Sequence, residues 1–239
     1  MRVVACLQAR MGSTRLPGKA LKEIGGMPIL WHVYRRLLAC REVDQVVVAV
    51  GDQNPKPILD VCEKYAMHWY VGYEADLIQR LTTTCSRFEG DAVLRARADC
   101  LFLDPAKLDD LVRFYRDAYP CRRAVSNWPS RLESEGLDAE VWSMELLAEL
   151  DRNPEVPRED FGTWAIQHGL VAQRYTGHPV NDGPPHLSID TLEDLIRATR
   201  MMKILEAGAG KFESPRRIDP LEYVPWRYAE TLKAWEATK

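Results

Sequence analysis

A chain of 239 residues, 46% hydrophobic and 28% charged, has enough apolar material for one substantial core, and a formal net charge of −3 leaves no basic excess for a nucleic-acid or membrane surface. No apolar run approaches the ~18 residues of a spanning helix. The N-terminal "MRVVACLQAR" returns to charge too soon for a signal peptide, so a cytoplasmic protein that binds neither nucleic acid nor membrane is expected. The six cysteines, at 6, 40, 62, 85, 100 and 121, have no CxxC or metal-finger spacing and read as buried free thiols.

In chain order, the β-branched run "VVACL" (3–7) opens as a strand and is followed by the loop "QARMGSTRLPGK" (8–19). A helix is expected over 28–40, with Pro28 suited to its first turn, then a strand at 45–50 and a helix at 56–66. A strand at 68–71, a helix at 76–88 and a strand at 91–97 continue the alternation. Asp104 caps the next helix, 105–118, which starts at Pro105. Strands alternating with helices at this spacing imply right-handed βαβ units and a Rossmann-like, mainly parallel α/β sheet. The second half is less regular. Strands within 122–127, 137–142 and 170–176, with helices near 143–150, 158–168 and 191–206, complete the same sheet, so 1–239 reads as one domain. A C-terminal helix within about 219–239 offers Trp226 and Trp235 for packing.

The loop after the first strand sits where open parallel sheets bind phosphates. Its spacing is not that of a P-loop: five residues separate Gly12 from Gly18, and Ala20 follows Lys19 where Ser or Thr would hold magnesium. What remains is a flexible backbone at Gly12 and Gly18, hydroxyls at Ser13 and Thr14, and three cations, Arg10, Arg15 and Lys19, able to neutralise a triphosphate. The plainer alternative is a solvated turn. Elsewhere, "EAGAGKF" at 206–212 lacks a preceding strand and reads as a helix end at Gly208. The five histidines show no i, i+4 pair for zinc; His178 and His186 flank a Pro/Gly-rich loop, 179–185, read as ordinary surface.

"QARMGSTRLPGKALKEIGGMPIL" closely resembles the N-terminal signature of cytidylyltransferases that activate sugar acids: the spore-coat-polysaccharide-type group and the acylneuraminate and deoxy-octulosonate (KDO) enzymes. "EADLIQRL" is similar to the family segment beside base and ribose, "RARADCLFLDP" to its metal strand R-x-x-G-D-C-P-x-x-D-P, "EGLDAEVWSMELL" to its acceptor segment G-L-D-x-E, and "LSIDTLEDLIRA" to its V-D-T-x-x-D-L segment. The resemblance implies a three-layer α/β/α nucleotidyltransferase fold, CTP as donor, Mg²⁺ as cofactor and a homodimer, with possible dimerisation elements within about 121–186. On this reading Arg10, Lys19 and Asp99 are catalytic, and Gln8, Ala9, Gly12, Ser13, Arg15 and Arg80 join Arg10 and Lys19 in holding the nucleotide. Asp99 and Asp190, hard oxygen ligands each expected at the end of a strand, hold the metal. Arg97, Glu135, Asp138, Glu140 and Arg158 are assigned to the acceptor.

Departures from the family pattern fall on the acceptor side. Ala98 stands where relatives commonly have Gly, Arg97 where they have a small or hydroxylated residue, Leu101 replaces a proline and Asp160 a histidine. Because Arg matches carboxylates and phosphonates bidentately, Arg97 favours a compact or strongly anionic acceptor; a strand residue paired with a neighbouring acid is the structural alternative. The acceptor stays open between a sugar acid such as a nonulosonate, a small phosphonate and a phosphorylated polyol. A nucleotide-sugar glycosyltransferase would want an Asp-x-Asp motif, and a non-catalytic nucleotide-binding subunit would not need Lys19, Asp99 and Asp190 together.

Overall fold

Val3–Ala9 forms strand β1, in which Val3, Ala5 and Leu7 enter one core and Val4 and Cys6 another. Side chains alternate across a strand, so a run that is apolar at successive positions needs both faces covered, as in a parallel sheet between helices. The computed structural model describes residues 1–127, 135–174, 186–209 and 228–238. After β1 come β2 (Glu23–Ile24), β3 (Met27–Pro28), β4 (Gln45–Gly51), β5 (Trp69–Gly72), β6 (Ala92–Arg97), β7 (Ala124–Ser126), β8 (Glu140–Ser143) and β9 (Ala172–Gln173). The helices are α1 (Ile29–Leu38), α2 (Lys56–Lys64), α3 (Leu77–Arg87), α4 (Pro105–Ala118), α5 (Met144–Arg152), α6 (Phe161–Gln167), α7 (Leu192–Ala209) and α8 (Tyr228–Glu236).

Seven strands form one sheet in the order β5-β4-β1-β6-β8-β7-β9. β1, β4, β5 and β6 are parallel, β8 lies antiparallel between β6 and β7, and β9 runs parallel to β7. Apolar faces of α1, α2, α4 and α7 pack on one side and those of α3, α5 and α6 on the other. This is the expected three-layer α/β/α arrangement with a mixed, mainly parallel sheet. β1 has β4 on one flank and β6 on the other, so strand order reverses there and a crevice opens at the carboxyl ends of β1 and β6.

Local sequence explains most boundaries. Asp104 caps α4 by accepting from the Ala106 N–H at 2.9 Å, as expected, and Ser143 does the same for α5 by accepting from the Leu146 N–H at 3.1 Å. Three features differ from expectation. Pro28 is extended, with ψ 145°, and precedes α1 instead of entering its first turn. It ends a β2–β3 hairpin that period-based reading misses because each strand has only two residues; Gly25 and Gly26 supply the positive φ values, 61° and 78°, that such a turn requires. Cys121 is exposed, while the other five cysteines are buried free thiols. His178, the 179–185 loop, Trp226 and the 219–227 part of the expected C-terminal helix lie outside the described residues.

Candidate active site

Gly18, at φ 64°, opens a short 3₁₀ turn, Lys19–Leu21, whose Ala20 is buried and fixes where Lys19 departs from the backbone. The Lys19 ammonium lies 2.6 Å from Asp99 Oδ2 and 3.0 Å from Asp190 Oδ1, joining the loop after β1, the residue pair after β6 and the segment before α7. Arg15 also reaches Asp190 Oδ1, at 2.9 Å. Burial opposes the charge on Lys19, yet the Asp99 and Asp190 carboxylates outweigh it and hold the ammonium above its ordinary value. Burial likewise opposes the charge on Asp190, while hydrogen bonds from Lys19 and Ser188 hold its carboxyl below the usual range.

Asp190 does not follow a strand. Residues 186–191 form an irregular segment, held to the end of β6 by the Ile189 N–H donating to the Asp99 carbonyl at 3.1 Å. Nor does Asp190 cap α7. Asp194 Oδ2 accepts from the Asp190 and Thr191 N–H groups at 3.1 and 2.9 Å, and Thr191 Oγ1 accepts from the Asp194 N–H at 3.2 Å. This reciprocal capping box leaves the Asp190 carboxylate to face Lys19.

The crevice is a cleft of about 400 Å³ lined by Gln8, Ala9, Arg10, Gly12, Ser13, Thr14, Arg15, Lys19, Arg95, Arg97, Asp99, Glu135 and Asp190, among others. Arg10 lies 3.3 Å from Glu159 and 3.9 Å from Glu74. A second recess of about 60 Å³ shares Arg95 and Arg97 and adds Asp138, Ala139, Glu140, Asp160 and Thr163. Arg97 hydrogen-bonds Asp138 and stands 3.6 Å from Asp99, so it both lines the cleft and pairs with neighbouring acids. Two residues assigned from sequence are not brought to either cavity. Arg80 is fully buried, with a Cβ at Gly72 falling 2.8 Å from its Cγ, and Arg158 pairs with Asp151 at 2.6 Å and Asp76 at 3.8 Å.

Arg95 is the cleft residue that sequence reasoning missed. It donates to Glu140 Oε2 at 2.9 Å and Gln8 Oε1 at 3.3 Å, and its guanidinium lies over the Phe161 ring. The signal was present in "RAR": residues two apart on a strand share a face, so Arg95 and Arg97 had to point the same way. Glu140 Oε2 also accepts from the fully buried Trp142 Nε1 at 2.9 Å, and the Trp142 ring packs edge-on against Phe161.

Two predictions follow from this side of the cleft. Gly136 has φ 98°, and a Cβ there would lie 2.2 Å from the Ser188 nitrogen, in the segment that leads to Asp190. Gly136→Ala is expected to cost about 3 kcal/mol and to weaken nucleotide binding, read by chemical denaturation and calorimetry; unchanged stability would refute the close approach. The second concerns Asp138, whose carboxyl burial pushes up to about 6 against the pull of Arg97. A folded-state value above the unfolded one means the folded protein takes up this proton first. The stability it contributes is present below about pH 4 and lost as pH rises through 6, amounting to about 2–3 kcal/mol. Asp138→Asn should flatten that part of the stability profile between pH 4 and 7; a slope identical to the parent's would show that Asp138 is not its source.

Comparison with known proteins decides the family. A cytidylyltransferase family model matches residues 4–153, which include the β1 loop, β6 and Asp99. The chain belongs to the cytidylyltransferase family. It is 29% identical over 155 residues to the spore coat polysaccharide biosynthesis protein SpsF of Bacillus subtilis, covering 63% of this chain and 62% of that protein. It is 34% identical over 116 residues to the 3-deoxy-manno-octulosonate cytidylyltransferase of Nitratidesulfovibrio vulgaris, covering 47% of this chain and 45% of that one. The matched stretch thus spans from under half to about three-fifths of these relatives' lengths. Among solved structures, a cytidylyltransferase from Leptospira borgpetersenii superposes with a TM-score of 0.83 at 24% identity, over 99% of this chain and 94% of that one. A CMP:2-keto-3-deoxy-manno-octonic acid synthetase complexed with CTP gives 0.69 at 18% identity, over 85% of this chain and 99% of that one. Both likenesses bear on the cytidylyltransferase fold. No described helix is long and apolar enough to cross a membrane.

Proposed function

We propose that this cytidylyltransferase transfers CMP from CTP to an acidic small-molecule acceptor in a magnesium-dependent reaction that releases pyrophosphate. The observation that carries the reading is the Lys19 ammonium between Asp99 and Asp190 at the mouth of the crevice. Two carboxylates that converge on one cation, with room for phosphate and water oxygens, form the hard donor set that suits Mg²⁺, and the ammonium is a stand-in for that ion. Asp99 and Asp190 would hold the metal, which when bound neutralises phosphate charge and polarises the phosphoryl group under attack.

In the transfer an acceptor oxygen forms a bond to the α-phosphorus, and the bond from that phosphorus to the bridging oxygen breaks. Pyrophosphate carries away the electron pair, and any proton on the attacking oxygen passes to solvent. Charge accumulates on the phosphate oxygens along this line, and the chain answers with Lys19, Arg10 and Arg15. Lys19 needs only to exchange carboxylate for phosphate contacts. Arg10 and Arg15 are 40% and 66% exposed, so drawing them from their present acidic partners has a small energetic cost. Arg95 braces Gln8 at the base of the cleft, and Arg97 stands between metal ligand and acceptor recess.

The relatives' names support an acidic sugar as the acceptor: several act by name on 3-deoxy-manno-octulosonate, and another, at 30% identity, on its 8-amino-3,8-dideoxy counterpart. The test is pyrophosphate release with magnesium and each of the four nucleoside triphosphates, against sugar acids, small phosphonates and phosphorylated polyols. CTP with at least one acid should turn over. CTP binding without pyrophosphate from any acceptor would overturn the transferase reading, and turnover with another triphosphate would overturn the base assignment. The homodimer belongs to the same proposal and is checked by sedimentation.

A further inference from the structure

The recess beside Arg97 carries more negative than positive charge. Arg95 and Arg97 face Asp138, Glu140 and Asp160 across about 60 Å³, a space for a group of a few heavy atoms. Both guanidiniums are already matched, Arg97 by Asp138 with Asp99 beyond, and Arg95 by Glu140. The matching leaves two acceptors unused. Glu140 is only 8% exposed, yet both of its hydrogen bonds, from Arg95 and Trp142, end on Oε2. Oε1 has no partner among the described residues, and Gly162 leaves the space in front of it clear: a Cβ there would come within 3.0 Å of Oε1. The Asp160 carboxylate, at the start of α6, accepts among the described residues from Thr163 Oγ1 alone, at 2.7 Å, and has no cation partner among them.

A polyanionic acceptor would set its second negative charge against these oxygens. Oε1 and the Asp160 carboxylate are open to the recess without a cation of their own, and a ligand ammonium placed there gains charge-assisted hydrogen bonds that a neutral hydroxyl cannot match. We infer that the acceptor is a small zwitterion or amino acid-sugar: one acidic group at Arg97, and a primary ammonium in the recess, donating to Glu140 Oε1 and Asp160. This rests on the cytidylyltransferase reading and adds to it the charge of the acceptor's far end. It also turns the sequence expectation at Arg97 around, because an arginine whose charge is already balanced selects one anionic group and not several.

The test uses matched pairs that differ at one atom: 2-aminoethylphosphonate against 2-hydroxyethylphosphonate, and 8-amino-3,8-dideoxy-manno-octulosonate against 3-deoxy-manno-octulosonate. Binding to the full chain loaded with a non-hydrolysable CTP analogue and Mg²⁺ is measured by calorimetry, and pyrophosphate release with CTP is measured separately. At least one amino member should bind tenfold or more tightly than its hydroxyl twin. Asp160→Asn, at an exposed helix start, leaves Glu140 in place and should cut that ratio about threefold or more. Equal affinities within both pairs, or no binding of either amino member, overturn the inference, and turnover of a hydroxyl member would then leave the transferase reading standing. An amino preference that survives Asp160→Asn unchanged also overturns it. Amino-selective binding without pyrophosphate release supports the inference and sinks the transferase reading.

Discussion

Lys19→Met is expected to lower kcat/KM for pyrophosphate release about 10³-fold, the upper range for removing one group aimed at developing charge. Two effects of this substitution can be separated. During transfer the variant lacks the cation that lies between the two carboxylates of the cleft. Without ligands it also leaves Asp99 and Asp190 facing one another without the ammonium they share at 2.6 and 3.0 Å. Their side chains are only 16% and 13% exposed, and Arg15 on Asp190 and Arg97 near Asp99 offset only part of the repulsion, so the apo variant should lose about 2 kcal/mol of stability in chelator. Divalent metal should then recover much of that loss, and Mn²⁺ should bind the variant without nucleotide more tightly than it binds the parent, where the ammonium competes. Paramagnetic titration reads the affinity directly. A fall in activity of less than tenfold, with unchanged stability in chelator, would remove Lys19 from the centre of the site.

Asp99→Asn should lower kcat/KM by a similar ~10³-fold, but with a different signature. The magnesium concentration for half-maximal rate should rise tenfold or more, because an amide is a weaker ligand for a hard cation than a carboxylate. Lys19 keeps Asp190 as a partner in this variant, so its apo stability should change little compared with Lys19→Met. Arg97 Nε, 3.6 Å from Asp99 in the parent, loses a neighbouring charge, and acceptor affinity is expected to rise for singly charged acids. An unaltered magnesium dependence would show that Asp99 does not hold the metal.

The first half of the fold was legible because its signals are local. Continuous apolar runs, Pro105 behind a capping Asp104 and the glycines of the β1 loop depend on neighbours a few residues away. The β2–β3 hairpin escaped because two-residue strands have no period to read. The acceptor side escaped for another reason: its partners are distant in sequence and depend on the antiparallel insertion of β8 beside β6. That pairing sets Arg95 opposite Glu140 in the ladder. Without it, Arg97 could be read as a free cation for a polyanionic acceptor.

What the sequence determined by itself is the kind of chemistry: three cations in a loop after the first strand, an aspartate after the fourth parallel strand and a family signature that names the nucleotide. The tertiary structure decided which of these groups meet. Lys19 lies 80 residues from Asp99 and 171 from Asp190; the adjacency of β1 and β6, with the irregular 186–191 segment tied to the Asp99 carbonyl, brings the three within hydrogen-bonding distance. Packing, likewise, drew Arg80 into the interior beneath Gly72, behind Arg10 and Arg95, and tied Arg158 to Asp151, so neither lines the cleft where the motif had placed them. Coulomb energy depends on separation and burial, and neither is a property of position along the chain.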